Sequence, residues 1–139
     1  MTHNGTCHCG AITIALISDK AISELPVRAC ECGYCRPQRL RYTSDPAGSV
    51  TISGSDLACY RFGTKTADFM RCARCGVLIG AKCDLDGASR MVISAALFDG
   101  LSDRDSAAAD FDGEQVEGRL ARRSRTWTPA TIAAQTHSQ

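Results

Sequence analysis

The sequence has few aromatic side chains and no marked excess of charge of either sign. Aromatic residues make up 6% of the 139 residues, with a single tryptophan, Trp127, and the formal net charge is +1. Proteins that bind nucleic acids or membranes through bulk charge usually carry a strong basic excess. The composition therefore predicts neither partner, and it indicates a core built mainly from Ile, Leu, Val and Ala.

Long hydrophobic runs are also lacking. The first apolar run, residues 11–17, is interrupted by Thr13, and no segment approaches the roughly 20 apolar residues of a membrane span. The polar segment 1–5 has none of the features of a signal peptide. We therefore expect a cytoplasmic protein with one domain over residues 1–139, because this length suits a single hydrophobic core. Its core is predicted at about residues 5–100, followed by an extension, 101–139.

Cysteine, by contrast, is abundant, with nine residues. In a reducing compartment so many thiols are better explained by metal binding than by disulfides, and an odd number cannot be fully paired. Cys59 and Cys83 lie alone in strand-like segments and are interpreted as core residues. The other seven form three close groups: Cys7/Cys9, Cys30/Cys32/Cys35 and Cys72/Cys75.

The first and last groups together supply four thiolates, the number that closes a tetrahedral zinc site. Cys7 and Cys9 have C-x-C spacing, whereas Cys72 and Cys75 have C-x-x-C spacing followed by Gly76. A glycine at that place accepts the positive φ of a backbone that folds tightly around an ion. The alternatives are buried thiols without a metal and an iron–sulfur cluster, which uses the same ligands.

The middle group is a C-x-C-x-x-C hexapeptide, residues 30–35. Three thiolates can hold one soft cation and leave its fourth tetrahedral position free, as in catalytic zinc sites. Other interpretations close this site with a further ligand or divide the cysteines differently between two ions. The candidate fourth ligands are His3, His8, His137, Cys59 and Cys83, and the alternative division pairs Cys7/Cys9 with Cys32/Cys35.

Alternating and β-branched segments predict a mainly β chain. Beyond Asp99 the sequence is polar and weakly patterned. There we predict a short helix through 107–109 and a mobile tail from Gln135. The arginine cluster of 119–125 is interpreted as a solvated basic face, since acidic residues precede it and no aromatic residues interleave. The predicted strands cover residues 11–17, 26–29, 40–43, 49–53, 57–62, 77–81 and 90–97.

Three motifs follow one another along the chain: Gly5-x-Cys7-x-Cys9-Gly10, Cys30-x-Cys32-x-x-Cys35-Arg36 and Cys72-x-x-Cys75-Gly76. Their order and spacing resemble the glutathione-dependent formaldehyde-activating (Gfa) enzyme and centromere protein V family. The resemblance covers residues 5 to about 97, with a weaker match at 127–129. It implies an all-β, zinc-knuckled Mss4-like fold that binds two zinc ions. By this resemblance the structural zinc is held by Cys7, Cys9, Cys72 and Cys75, and the catalytic zinc by Cys30, Cys32 and Cys35.

The family reaction joins glutathione and formaldehyde into S-(hydroxymethyl)glutathione. The resemblance thus implies a zinc-dependent carbon–sulfur lyase or synthase whose partner is a small thiol such as glutathione, or its aldehyde adduct. An open, thiolate-rich zinc can bind a thiol and lower its pKa. Because three thiolates also weaken the Lewis acidity of the ion, we favour positioning of the thiol over strong activation of the carbonyl.

The chain departs from the family pattern at three positions. Many members have His and Ser where this sequence has Glu31 and Gly33, and a glycine where it has Leu40, so we expect an altered pocket lining. Two other functions are compatible with the residues. One is a non-catalytic zinc module that binds a protein partner. The other is an enzyme like methionine sulfoxide reductase, whose nucleophile would be Cys59 or Cys83.

Overall fold

The structure, a computed structural model, describes residues 1–111 and 113–138. The predicted all-β class is confirmed, with a single α-helix among the described residues, α1 (Val116–Thr126). Short 3-10 turns cover Ile22–Glu24, Arg36–Gln38 and Ala95–Leu97. The strands are β1 (Thr2–Thr6), β2 (Ile12–Ile17), β3 (Arg28–Cys30), β4 (Arg41–Thr43), β5 (Ser49–Tyr60), β6 (Asp68–Cys72), β7 (Leu78–Leu85), β8 (Ala88–Ser94), β9 (Ala107–Ala109) and β10 (Thr128–Ser138).

Five of these strands close into a ring. Strands β5, β6, β7 and β8 pair antiparallel in sequence order. Strand β10 then pairs antiparallel with β8 at Thr128–Ala130 and parallel with β5 from Ala130 to Ser138. Because β10 bridges β8 and β5, the last strand of the chain covers two sheet edges that would otherwise expose unpaired backbone groups.

Strand β5 changes partners along one of its edges. Its first half pairs with β2, with Ile12 opposite Gly54, and its second half pairs with β6, with Leu57 opposite Cys72. Gly54 at the change has a φ of +131°, and a Cβ there would lie 2.0 Å from the carbonyl oxygen of Ala11. The partner change brings the β1–β2 turn beside the end of β6.

The outer strands β4, β3 and β9 extend the sheet from β8. Tyr42 of β4 pairs with Ser94 of β8 and with Arg28 of β3. Cys30, at the end of β3, lies opposite Ala109 of β9. This extension holds the hexapeptide that begins at Cys30 next to the ring.

Two apolar cores lie on opposite faces of β7 and β8. Met91 and Ile93 are fully buried in the first core, whereas Val92 between them packs in the second, as the two-residue period of a strand requires. Cys7 and Cys72 belong to the first core, and Cys35 belongs to the second. Each cysteine cluster is therefore supported by its own core.

The region after Asp99 differs from the sequence prediction. Residues Ala107–Ala109 form strand β9 rather than a helix, because parallel pairing with β3 overrides the helix preference of alanine. The tail predicted to be mobile from Gln135 is part of β10 and pairs with Asp56–Cys59. Neither α1 nor β10 was predicted. No helix among the described residues combines the length and apolarity needed to cross a bilayer.

The junction between β10 and the rest of the chain contains a buried hydrogen bond. Thr128 is fully buried, and its Oγ1 accepts the backbone N–H of Asp45 at 2.7 Å. We expect Thr128→Val, which keeps the shape but removes the acceptor, to lower the free energy of unfolding by about 1–3 kcal/mol in urea titrations. Thr131→Val, at an exposed site on the same strand, is the control and should stay within about 0.5 kcal/mol. Equal effects would contradict the role given to the bond.

Candidate metal centres

The first candidate centre, the four-cysteine cluster, consists of Cys7, Cys9, Cys72 and Cys75. Their Sγ atoms all lie within 4.8 Å of one another. The separation is 3.6 Å between Cys7 and Cys9, and 3.7 Å between Cys9 and Cys72. The alternative division of the cysteines does not occur, since Cys32 and Cys35 group with Cys30 instead. The cluster can hold a metal ion and tie the β1–β2 turn to the end of β6.

Both turns of this cluster have the same backbone arrangement. The N–H of Cys7 donates to the carbonyl of Ile12 at 3.1 Å, and the N–H of Cys72 donates to the carbonyl of Val77 at 3.0 Å. The glycine that ends each turn, Gly10 or Gly76, has a φ of +80°. The prediction that Gly76 adopts a positive φ is therefore confirmed, and the same holds for Gly10.

Backbone N–H groups also point at the sulfur atoms. Ile12 donates to Cys7 Sγ at 3.3 Å, and Cys75 donates to Cys72 Sγ at 3.5 Å. Hydrogen bonds from backbone N–H groups, first that of Val77, lower the pKa of Cys75 to about 6. The Ala11 N–H lowers the pKa of Cys9, but burial and the neighbouring thiols together raise it to about 11. Four adjacent thiolates repel one another, and a bound cation would remove that repulsion.

A substitution at Gly76 tests how strongly the turn depends on its backbone conformation. A Cβ at Gly76 would meet no atom within 4 Å, so Gly76→Ala changes only the cost of the positive φ. We expect a loss of about 1–2 kcal/mol in the free energy of unfolding. Gly33→Ala is the matched control, because Gly33 also has open space around its Cα but no positive φ. Chemical denaturation of both variants should show a loss at Gly76 alone.

The second candidate centre, the three-cysteine cluster, consists of Cys30, Cys32 and Cys35. The three Sγ atoms lie within 4.8 Å of one another. The N–H of Cys35 donates to Cys32 Sγ at 3.3 Å, and the carbonyl of Cys35 accepts the N–H of Leu40 at 3.2 Å. The hexapeptide thus wraps back on itself, so that the three thiols face one point.

Tyr42 closes one side of this cluster. Its hydroxyl lies 3.2 Å from Cys35 Sγ, and both side chains are buried. The Cys30 thiol, together with burial, raises the pKa of Cys35 well above its usual range. Burial and then the negative charge of Cys35 raise the pKa of Tyr42. Tyr42 therefore keeps its proton, and its hydroxyl could donate a hydrogen bond to Cys35 Sγ when a bound cation holds that sulfur as a thiolate.

No fourth cysteine, histidine, aspartate or glutamate of residues 1–111 and 113–138 joins this cluster within 4.8 Å. His3 bonds to the carbonyl of Lys20, His8 is exposed, and His137 lies 3.6 Å from Asp56. Cys59 and Cys83 are buried in the two cores, which confirms their interpretation as core residues. Among the described residues, the candidate fourth ligands lie elsewhere, and the cluster offers three protein ligands.

A cavity of about 470 Å³ opens onto the three-cysteine cluster. Aromatic side chains form part of its wall, and all three cysteines line it. This volume lies within the range of pockets that take small molecules, roughly 300–1,000 Å³. Besides the cysteines, the wall residues include Arg28, Tyr42, Phe62, Phe69, Phe111, Glu114, Arg119, Arg122, Arg123 and Trp127.

The arginine cluster is not the solvated face that the sequence predicted. Arg123 is only 6% exposed, Arg119 and Arg122 are partly buried, and all three line the cavity. Arg125 alone among the four is exposed. The error arose because the cavity, which buries three of these side chains, is built from strands distant in sequence.

The described residues that line the cavity do not include the three departures from the family pattern, Glu31, Gly33 and Leu40. Leu40 packs against the second core, and neither Glu31 nor Gly33 is a wall residue. Tyr34 stacks on Tyr60 with ring centroids 5.5 Å apart, beside but outside the cavity. The expectation of an altered pocket lining at these positions is therefore wrong.

The fold and the two clusters together define an all-β protein with two candidate metal centres, one of which opens onto a cavity. No family model matches the chain. The fold is similar to that of a Rhodobacter sphaeroides protein of known crystal structure, with a TM-score of 0.61 and 23% identity. The match covers 76% of this chain and 99% of that one. A likeness at this identity shows the fold alone, and function has to be argued from the site.

Proposed function

We propose that this protein is a zinc-dependent enzyme that forms or breaks the carbon–sulfur bond of a small thiol–aldehyde adduct, in the manner of S-(hydroxymethyl)glutathione synthase. One observation carries the proposal: four cysteines complete one cluster, whereas three line a cavity without a fourth ligand among the described residues. Structural zinc sites have four protein ligands, and catalytic sites keep one position for substrate.

The spacing of the sulfur atoms supports zinc in the four-cysteine cluster. Zinc–sulfur bonds of about 2.3 Å in a tetrahedron place neighbouring sulfur atoms roughly 3.8 Å apart. The separations of 3.6 and 3.7 Å, from Cys9 to Cys7 and to Cys72, are close to that value. An iron–sulfur cluster distributes its cysteine ligands over several iron atoms, so such short separations favour a single ion.

The three-cysteine cluster suits the same ion, because thiolates are soft ligands that zinc accepts. When bound there, zinc would supply a positive charge that favours the thiolate form of a substrate thiol. With Cys35 held as a thiolate by the ion, the Tyr42 hydroxyl at 3.2 Å would donate to this sulfur, orient it and offset part of its negative charge. Phe62, Phe69 and Trp127 line the same cavity and place apolar surface around the bound molecule.

Exchange measurements test the proposed reaction. Glutathione and formaldehyde form their adduct slowly in buffer, and NMR exchange spectroscopy at equilibrium measures the rate of interconversion. We expect purified protein with both metal ions to accelerate the exchange. No acceleration over buffer, with both ions present by elemental analysis, would contradict glutathione and formaldehyde as substrates.

Metal spectroscopy separates the enzyme from the alternative, a zinc module that binds a protein partner. Cobalt(II) in the three-cysteine cluster should change its visible spectrum when a small thiol is added, because the thiol enters the free coordination position. A spectrum that is unaffected by thiols and typical of four protein ligands would support the binding module instead.

A further inference from the structure

Four guanidinium groups face the cavity that contains the three-cysteine cluster, and they come from two parts of the chain. Arg28 belongs to β3, and Arg119, Arg122 and Arg123 belong to α1. The ion pairs that these groups make with described residues all go to one carboxylate, that of Glu114. The wall described by the structure is therefore strongly positive, although the net charge of the whole chain is only +1.

The carboxylate of Glu114 is engaged mainly by Arg122. Arg122 Nη2 donates to Glu114 Oε1 at 3.0 Å, and its Cζ lies 3.5 Å from the centroid of the Phe111 ring. Arg119 Nη2 donates to the carbonyls of Phe111 and Glu114. Arg119 Nε, however, is 3.9 Å from Glu114 Oε1, too long for a hydrogen bond, and has no hydrogen-bond partner among the described residues. The Glu114 carboxylate therefore accepts hydrogen bonds from only some of the arginine N–H groups around it.

Arg123 is the most deeply buried of the four. It is 6% exposed and donates from Nη1 to Thr66 Oγ1 at 2.7 Å and towards Cys83 Sγ at 3.6 Å. Its Nε is buried and has no hydrogen-bond partner in the described part of the chain, and its Cζ lies 4.8 Å from the Trp127 ring centroid. A buried cationic donor without a partner is costly, and an anion bound in the cavity would satisfy it.

Among residues 1–111 and 113–138, the hydrogen-bond partner of the Arg28 side chain is neutral, Ser44 Oγ at 2.5 Å. Burial, and then the positive charge of Arg122, lower the pKa of Arg28. Burial likewise lowers the pKa of Arg123. The neighbouring Cys83 sulfur opposes this shift, and the charges of Arg119 and Arg122 add to it. The arginines repel one another across the cavity, and a bound anion would relieve this repulsion.

We propose that Arg28, Arg119, Arg122 and Arg123 form an oxyanion subsite, which holds a carboxylate or phosphate group of the molecule whose sulfur lies at the three-cysteine cluster. The planar guanidinium fork matches both oxyanions and binds them through paired, charge-assisted hydrogen bonds. The substrate class is thus a thiol adduct that carries an acidic group. The link to sulfur rests on the proposed function, whereas anion binding does not.

Titration with inorganic phosphate and with acetate, each alone, tests the subsite independently of any reaction. Isothermal calorimetry on the metal-loaded protein should show saturable binding of at least one ion, and comparison of the two decides between phosphate and carboxylate. In Arg28→Gln and in Arg122→Gln the affinity should fall about tenfold or more, as expected for lost hydrogen bonds between charged groups. Arg125→Gln, exposed on the same helix, should bind within about twofold of the unmodified protein.

The binding of two small thiols then tests whether one molecule contacts the arginines and the three-cysteine cluster at the same time. The acidic 3-mercaptopropionate should bind more tightly than the uncharged 2-mercaptoethanol, and Arg28→Gln should remove that preference. Because either substitution could disturb the fold, both Arg28→Gln and Arg122→Gln are tested, and circular dichroism checks that each variant is folded. No saturable binding of either ion, or equal affinities in the Arg28, Arg122 and Arg125 variants, would overturn the subsite. Failure of the exchange experiment with glutathione and formaldehyde would leave this result unaffected.

Discussion

Replacing Cys72 with alanine should destabilise the protein by on the order of 5 kcal/mol, the largest effect expected of any single substitution. Structural zinc sites contribute about 10–16 kcal/mol of binding free energy in zinc-finger peptides, and we expect a substantial part of it to be lost when one of four ligands is removed. Here the ion would hold the β1–β2 turn to the end of β6, across the point where β5 changes partners. We therefore expect the four-cysteine cluster to support the whole fold.

Cys59→Ala is the matched control for this substitution. Cys59 is a buried thiol on β5, two pairs along the β5–β6 ladder from Cys72, and it belongs to neither cluster. Its loss should cost about 1 kcal/mol, the typical effect of a point substitution. Denaturant unfolding of both variants, with and without a chelator, measures the difference. Equal losses, or a chelator effect as large in Cys72→Ala as in the unmodified protein, would contradict a structural ion at this cluster.

Replacing Cys32 with alanine should produce the opposite combination, a large loss of activity with a small loss of stability. The three-cysteine cluster lies within a single hexapeptide at the margin of the second core, so it ties together no distant parts of the chain. Removal of one of three ligands should weaken retention of the ion. Loss even of groups that only support metal ligands lowers affinity or activity about 10–100-fold, so we expect a loss of at least about 100-fold.

The measurement for Cys32→Ala combines the NMR exchange rate with a denaturant titration. The free energy of unfolding should change by less than about 2 kcal/mol, well below the effect of Cys72→Ala. Cys59→Ala again serves as control and should keep the exchange activity of the unmodified protein. A Cys32→Ala protein that unfolds as readily as Cys72→Ala, or that keeps full activity, would show that the two clusters do not have separate roles.

The cysteine clusters could be predicted because their signals are local. The C-x-C and C-x-x-C turns place pairs of thiols together within a few residues, and the positive φ of Gly76 follows from the same tight turn. The sequence did not settle which pairs combine. That choice depends on the register of β5, which pairs with β2 up to Gly54 and with β6 from Leu57.

The cavity could not be predicted, because its wall depends on contacts between distant segments. Arg123 has the sequence surroundings of a surface helix residue, yet it is buried against Trp127 and Thr66. Ala107–Ala109 has no strand signal of its own and is a strand only because β3 lies beside it. Helix α1 and strand β10 take their places from the ring, and no short pattern specifies that ring.

Metal counting on three proteins tests the central claim most directly. Elemental analysis should find two zinc ions per chain in the unmodified protein. It should find one ion in Cys32→Ala, where the four-cysteine cluster remains intact and the protein stays folded. In Cys72→Ala the zinc of the four-cysteine cluster should be lost. A single ion in the unmodified protein, two ions in Cys32→Ala, or iron in place of zinc would contradict an account in which one zinc supports the fold and a second serves the cavity.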